Sequence, residues 1–292
     1  MTVNEGKRNE IKARIQEGME ELPSLSPAVQ EILRLANDLQ ASPKDLIDII
    51  RTDPVLTAKI LRLVNSAYFS LNSKIASLNR ALVLLGFNTI KNVAVSAELI
   101  KISESCPDNE YFDYQELWEH MLGVGAVAKV LAAESGEPRK ILEEYFIAGL
   151  IHDLGDFLLM RFIPAEFSKI RNVALEKEIS VRECSRSVLG FSSGEMGAEL
   201  ASNWKLQEHL QDVIKKMEEL SSLETKLEKI ISIADRFCRV HNVGFVSDMT
   251  MTEIRPEELE EHGIAPDFLD AEKERLLNEV DLAKDFIKDM KG

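Results

Sequence analysis

The side chains best suited to chemistry in this sequence are the adjacent His152 and Asp153, which lie in the run AGLIHDLGD. Ile141, Tyr145 and Ala148 precede the histidine at helical spacing, so its imidazole is predicted to face the apolar interior. The carboxylate follows about 100° further round the helix, which lets both side chains converge on one ion. One imidazole and one carboxylate make half of a metal site.

Two other residues can supply the other half. His120 shares a helical face with Val124 and Val127, and Asp235 is a lone carboxylate on the apolar face that contains Ile231. A buried carboxylate needs a hydrogen bond, a charged partner, a proton or a metal. The predicted ligands of one ion are His120, His152, Asp153 and Asp235. Two nitrogen and two oxygen donors suit Fe, Mn, Ni, Co or Zn rather than calcium.

Two other interpretations of these residues stay open. The first is structural: His152 and Asp153 form a hydrogen-bonded pair in the core, without stoichiometric metal. The second is enzymatic: a metal-dependent phosphohydrolase or phosphodiesterase, in which the ion activates water and polarises a phosphoryl oxygen. Such an enzyme needs a phosphate clamp, and no basic cluster lies close to His152 in the sequence; Arg161 is the nearest base, beyond the motif.

The elements that must position these side chains are helices. Helical periodicity recurs along the whole chain without convincing strand alternation, so the predicted fold class is all-α. Ser26-Pro27, Ser42-Pro43 and Asp53-Pro54 each place a capping side chain before a proline at the first helical position. A charged helix is predicted near 5–21, and later ones near 114–135, 139–160, 164–177, 180–188, 194–203, 207–219 and 222–240.

We divide the chain into two packed helical units and an extension. The N-terminal subdomain covers 5–105 and the second covers 110–245, with a linker from Ser105 to Asp113. The extension, 250–292, is predicted to be an acidic amphipathic helical tail, because apolar residues recur among thirteen acidic and six basic ones from Glu253 onward. Deleting the tail is expected to alter association or autoinhibition and to leave the helical domain folded.

The composition of the 292 residues limits the classes of function. A net charge of −15 disfavours binding to nucleic acid and to anionic lipid. Three widely spaced cysteines without a CxxC argue against a disulfide framework or a thiolate zinc site, and favour a reducing cytoplasm. Neither a signal peptide nor an apolar run of about 18 residues is evident, so we expect a soluble, cytoplasmic protein.

Several segments carry a family resemblance in their order along the chain. They are LPSLSP at 22–27, DPVLT at 53–57, LRLVNSA at 61–67, LWEH at 117–120, AGLIHDLG at 148–155, and Gly-Ala before Trp204. Over about residues 20 to 240 the sequence resembles the HDOD family, the HD-related output domain of bacterial signalling proteins. The resemblance implies an all-α domain distantly related to HD and HD-GYP phosphohydrolases. We interpret Asp53 as a helix cap and Asn65-Ser66 as a helix end, rather than as ligand contacts.

The resemblance also implies a site depleted for catalysis. Where many HDOD sequences have a histidine before Gly197-Ala198, this chain has Ser193, and a second expected histidine pair is replaced by Met217-Glu218. HD-GYP phosphodiesterases have a lysine at the position of Asp156 and a Gly-Tyr-Pro signature that is missing here. A carboxylate at that position opposes an anionic substrate. We therefore expect a regulatory output module that binds a signalling protein, with one metal ion at most; its oligomeric state stays open.

Overall fold

The chain is an assembly of helices in a computed structural model that describes residues 4–36, 41–66, 69, 73–104, 109–217, 219–245 and 253–291. The structure is 76% helical, and no strand occurs among the described residues, which confirms the all-α prediction. The α-helices of the described part are α1 (Glu5–Glu21), α2 (Pro27–Ala36), α3 (Pro43–Arg51), α4 (Pro54–Val64), α5 (Leu78–Leu85), α6 (Phe87–Glu104), α7 (Tyr114–Glu134), α8 (Leu142–Ile151), α9 (Leu154–Phe162), α10 (Pro164–Lys177), α11 (Val181–Leu189), α12 (Ser193–Asn203), α13 (Glu208–Lys216), α14 (Lys226–Val240), α15 (Pro256–Glu260), α16 (Phe268–Ala271) and α17 (Lys273–Lys291).

The capping residues of the N-terminal helices have local structural roles. Ser42 forms a capping box at the start of α3, and the Asp53 carboxylate accepts from the amide of Leu56 at 2.9 Å at the start of α4. Past the end of α4, the Asn65 side chain donates to the carbonyl of Ile75 at 2.8 Å and accepts from its amide at 2.7 Å. These contacts agree with the interpretation of both motif positions as helix boundaries.

The helix predicted over 139–160 is interrupted. A 3-10 turn at Arg139–Ile141 leads into α8, and α9 follows after a break whose two residues are His152 and Asp153. The histidine ends α8 and the aspartate precedes the first residue of α9. The dipeptide with the strongest chemical signal is therefore the joint between two helices.

Glycines allow the helices around this joint to approach closely. A Cβ on Gly149 of α8 would lie 2.5 Å from the Cα of Gly125 on α7. A Cβ on Gly155 of α9 would lie 1.9 Å from the carbonyl oxygen of Ser193 on α12. Both gaps are below any real Cβ contact and both meet backbone, so these crossings require residues without side chains. They bring α7, α8, α9 and α12 together around the joint.

The helix α7 is the central element of the described core. It packs against α8, α14 and α17, while α6 packs against α8 and α1 against α9. The division into subdomains at 5–105 and 110–245 stays a prediction. Of the predicted linker, residues 105–108 lie outside the described residues, and the Asn109 side chain accepts from the amide of Phe112 at 3.1 Å and donates to the carbonyl of Met160 at 3.3 Å.

The C-terminal extension packs onto this core through α15, α16 and α17, and residues 246–252 lie outside the described part. Its buried apolar side chains are those of Leu259, Ile264, Phe268, Leu276, Val280 and Ala283. The Arg236 guanidinium on α14 holds the start of the extension by donating to the Glu253 carbonyl at 2.6 Å and by pairing with Glu258. This packing opposes the expectation that the tail can be deleted while the helical domain stays folded.

Among the described helices, none by itself has both the length and the apolar composition to cross a membrane. The pair Leu78–Leu85 and Phe87–Ile102 meets those two criteria together, but it is bent by 119°.

Candidate metal centre

Three helical segments bring the four predicted ligand residues together. His120 lies on α7, His152 and Asp153 form the joint between α8 and α9, and Asp235 lies on α14. Each is between 1 and 3% exposed. The Nε2 atom of His120 is 3.2 Å from Oδ1 of Asp235, and the Nε2 atom of His152 is 3.3 Å from Oδ2 of Asp153. Faces deduced from helical spacing thus do converge.

Three of the four residues could hold one ion as they are placed. Ligand atoms of His120, His152 and Asp235 all lie within 4.8 Å of one another. Asp153 lies outside that group of three, although its Oδ2 atom is 3.8 Å from Nε2 of His120. The structure therefore places Asp153 at the edge of the candidate centre, beside both imidazoles.

The hydrogen bonds of the two imidazoles favour a cation between them. Nδ1 of His120 is 3.1 Å from the carbonyl oxygen of Val243, and Nδ1 of His152 is 2.7 Å from that of Gly149. Because a carbonyl only accepts, each Nδ1 carries a proton and each Nε2 faces the carboxylates. The Nε2 of His152 has no hydrogen-bond partner among the described residues. Metal-binding histidines are commonly oriented in this way, so the donors fit a metal ion.

Two buried arginines, which the sequence interpretation missed, neutralise the carboxylates. Nη2 of Arg182, on α11, is 2.5 Å from Oδ1 of Asp153. Arg239 donates to both oxygens of Asp235, from Nε to Oδ1 at 2.8 Å and from Nη2 to Oδ2 at 2.6 Å. Arg239 could have been found, since it follows Asp235 by four residues on one helical face. The sequence indicates Arg182 less clearly, because its only distinguishing feature is a positive charge on a largely apolar face of α11.

These contacts shift the protonation of the whole cluster. Burial by itself would lower the pKa of His152, but the charges of Asp153 and Asp235 raise it to about 10. Burial by itself would raise the pKa of Asp153, yet His152 and Arg182 hold it below its ordinary value. The pKa of Asp235 is likewise depressed, against the effect of burial, by Arg239 and both imidazoles. A proton on His152 and a metal ion are thus competing ways to supply positive charge.

Three of the positions that depart from the family pattern, Asp156, Ser193 and Met217, are buried. Asp156, on α9, is 1% exposed and stands in the electrostatic field of Arg171 and Arg182. The Ser193 hydroxyl is buried and has no hydrogen-bond partner among the described residues. Met217 presents a buried apolar side chain, and Glu218 lies outside the described residues. A hydroxyl and a thioether are poor ligands for a second hard or borderline ion.

A family model described as the HDOD domain matches residues 22–220. The solved structure of an HDOD domain protein with unknown function from Geobacter sulfurreducens superposes with a TM-score of 0.78 at 24% identity, covering 97% of this chain and 99% of that one. A protein from Shewanella amazonensis SB2B named as a phosphohydrolase gives 0.70 at 24% identity, with 95% and 98% covered. One from Marinobacter aquaeolei VT8 named for signal transduction gives 0.73 at 19% identity, with 100% and 68% covered. At these identities the likeness shows the fold.

A curated relative is also similar in sequence. It is an uncharacterized protein of Treponema pallidum (strain Nichols), 25% identical over 222 residues, which are 76% of this chain. The chain spans 42% of that protein's length.

Proposed function

This chain belongs to the HDOD domain family, and from that membership we propose that it is a regulatory module of cytoplasmic signal transduction that acts by binding a protein partner. In this proposal the buried HD-type centre is degenerate. It holds one divalent transition metal ion, through His120, His152, Asp235 and the adjoining Asp153, as a structural element rather than as the centre of a reaction.

The observation that carries the proposal is the pair of guanidinium groups on the two carboxylates. Arg182 and Arg239 each occupy carboxylate oxygen atoms that a hydrolytic centre would use to position water or transfer a proton. Both arginines are themselves less than 10% exposed. A phosphoester must reach the ion, whereas every member of this cluster is enclosed by packed helices.

The nearby charges further oppose a phosphate substrate. Asp156 places a buried carboxylate beside the joint, where it repels an anion instead of clamping it. The positive charge of Arg182 is already directed at Asp153. His152 and Asp153 thus lie within a network of internal ion pairs.

A metal-dependent phosphohydrolase or phosphodiesterase is the second candidate. The orientation of both imidazoles, with Nε2 facing the cluster, and the Nε2 of His152 without a hydrogen-bond partner among the described residues favour it. A bound ion would supply Lewis acidity and a more acidic water. The chain would contribute the orientation of His120 and His152 through the carbonyls of Val243 and Gly149.

Metal content and turnover measured on the same protein separate the candidates. The full chain is loaded anaerobically with each of Fe, Mn, Ni, Co and Zn, and the bound metal is measured by mass spectrometry. Hydrolysis is assayed with bis-p-nitrophenyl phosphate, nucleotides and cyclic dinucleotides. His152→Gln removes the central imidazole, and His262→Gln, at a half-buried histidine of the extension, is the matched control.

The proposal expects one equivalent of metal in the wild type and in His262→Gln, loss of that metal in His152→Gln, and no turnover above the level of His152→Gln. Metal-dependent turnover that disappears in His152→Gln and persists in His262→Gln would establish the hydrolase instead. Protein that stays free of metal after loading would overturn the metal-holding part of the proposal and support the hydrogen-bonded core pair.

A further inference from the structure

A groove of about 750 Å³ lies on the surface, and none of the four candidate metal ligands lines it. One wall is the corner between α5 and α6, with Val83 and Leu84. The facing wall comprises the later part of α7 and the start of α8, with Arg139 and Lys140. We call it the corner groove.

The apolar wall of the corner groove is unusually exposed for its residue types. Val83 is 83% exposed and Leu84 is 45% exposed, whereas Leu78 and Ala81 on the same helix are buried. Helices α5 and α6 meet at 119° through Gly86, whose φ of +86° is a conformation that side chains disfavour. The sharp corner therefore presents two adjacent aliphatic side chains to the groove.

The facing wall carries positive charge that the fold does not neutralise. Within the described part of the chain, neither Arg139 nor Lys140 forms an ion pair, and both are exposed. Lys129, deeper in the groove, is paired with Glu143 at 2.6 Å. Two uncompensated cations beside two exposed aliphatic side chains contrast with the net charge of −15 of the whole chain.

The wall is also fixed in place, as a preformed binding surface requires. The side-chain amide of Asn88, at the start of α6, donates to the carbonyl of Lys140 at 2.8 Å, which ties the two walls together at one end. An α-helix with its side chains is about 10 Å across, and a concave apolar groove with a charged edge is the surface that amphipathic helices recognise.

We propose that the corner groove binds an acidic amphipathic helix of a partner protein. Apolar residues of that helix pack on Val83 and Leu84, and its carboxylates face Arg139 and Lys140. The inference rests on the proposed function, since it gives the regulatory module a binding surface and its partner a chemistry. The concave shape favours a helix over a flat membrane surface, and the sign of the charge favours acidic partners.

The test uses the full chain and a synthetic helical peptide of about 18 residues, with leucines along one face and glutamates elsewhere. Its control is a scrambled peptide of the same composition, in which the leucines are spread round the helix. Because the protein is strongly acidic, nonspecific attraction of either peptide is disfavoured. Binding is followed by fluorescence anisotropy at low and high salt.

Four variants locate the binding. Val83→Glu and a double Arg139→Glu, Lys140→Glu variant alter the two walls. The matched controls are Leu175→Glu, at a leucine that is 73% exposed on α10, and Lys215→Glu, at an exposed lysine on α13. All of these positions are on the surface, so folding is checked simply by circular dichroism.

The proposal expects saturable, salt-sensitive binding of the ordered peptide, weakened about tenfold or more by either wall variant and unchanged in both controls. No binding, equal binding of the scrambled peptide, or equal binding by the wall variants would overturn it. So would sedimentation with phosphatidylserine vesicles that the wall variants abolish, because that result assigns the surface to a membrane. None of these outcomes depends on metal content or turnover, so a failed corner groove is distinguishable from a failed regulatory module.

Discussion

Each negative charge of a carboxylate in the buried cluster is paired with the positive charge of an arginine. Two carboxylates, Asp153 and Asp235, are matched by two guanidinium groups, Arg182 and Arg239, and the imidazoles lie between them. A buried ion pair stabilises a fold only weakly compared with an apolar pair, but removing one partner leaves a charge in a medium that solvates it poorly. The arginines are consequently needed for the charge balance of the cluster.

Replacing Arg182 with alanine is expected to destabilise the protein by about 3 to 5 kcal/mol, because it leaves the Asp153 carboxylate buried and uncompensated. Urea unfolding measures the loss. Arg186→Ala is the control on the same helix, since Arg186 is 55% exposed and pairs with Glu195 at 3.4 Å, and it should cost under about 1 kcal/mol. Similar losses in the two variants would show that Arg182 does not compensate a buried charge.

At this scale the sequence predicted the imidazoles and carboxylates better than their counterions. His120 and Asp235 were recognised because each interrupts an apolar helical face, and that argument needs only spacing along one helix. The contact of Arg182 with Asp153 depends on which helix packs against the joint, and periodicity does not contain this information. Packing likewise decides which carboxylate lies nearer to which imidazole: Asp235 is 3.2 Å from Nε2 of His120, and Asp153 is 3.3 Å from Nε2 of His152.

Among the elements, the start of α14 shows how one helix that bears a candidate ligand is anchored. Thr225 caps the helix and Glu228 completes a capping box. The buried Glu228 carboxylate accepts from the amides of Glu224 at 2.7 Å and Thr225 at 3.0 Å, and from Nζ of Lys216 at 3.2 Å. These contacts fix the N-terminal end of α14, two turns before Asp235.

Acid should weaken this anchor. Burial by itself would raise the pKa of Glu228, but the two amides and Lys216 hold it below its ordinary value. The folded state therefore binds this proton less readily, so the stabilisation is present above the unfolded pKa of about 4.3 and is lost as pH falls through the folded pKa. Glu228→Gln should cost about 1 to 2 kcal/mol at pH 7 and progressively less toward pH 3.

Urea unfolding of the wild type and Glu228→Gln between pH 7 and pH 3 measures that difference. Glu274→Gln, at an exposed glutamate on α17, is the control and should follow the wild type throughout. A gap between the wild type and Glu228→Gln that stays constant with pH would contradict the assignment, since the variant lacks only the titrating group.

Individual helices were predictable where capping and periodicity agree. The helix expected over 164–177 is α10 at the same bounds, because Pro164 starts it and its apolar face is regular. The prediction of one helix over 139–160 is wrong. Because α8 and α9 are both almost wholly buried, no polar face in the sequence marks where the helix axis changes direction. The close approach of Gly155 to Ser193, which accompanies the turn, is a tertiary contact.

For the molecule as a whole, the acidic extension is part of the core. Six apolar side chains of the extension are buried, and α17 lies against both α7 and α4. Five of them are Leu, Ile, Phe or Val. Burying such a side chain contributes about 1.5 to 3 kcal/mol, so their sum is comparable to the whole stability of a typical domain, about 5 to 15 kcal/mol. The sequence predicted an acidic amphipathic helical tail, but amphipathic spacing does not indicate which surface the apolar face packs against.

A chain that ends at residue 245 is accordingly expected to lose cooperative unfolding and its near-ultraviolet circular dichroism signal. Leu276→Ala tests the same packing without truncation and should cost about 2 to 5 kcal/mol, since Leu276 is fully buried. Lys273→Ala, at an exposed position of the same helix, should leave the urea midpoint unchanged. A truncated chain as stable as the full chain would show that the extension is a separate cover.

The carbonyl of Val243 accepts a hydrogen bond from Nδ1 of His120 at the point where the backbone leaves α14. The next two residues are pinned to α7: the Phe245 amide donates to the Glu116 carbonyl at 2.8 Å, and a Cβ on Gly244 would lie 2.3 Å from that oxygen. The hydrogen bond of Nδ1 of His120 therefore depends on the position of residues 243–245. If the centre binds a metal ion as proposed, metal binding and packing of the C-terminal extension are linked equilibria, in which each changes the other's free energy by an equal amount.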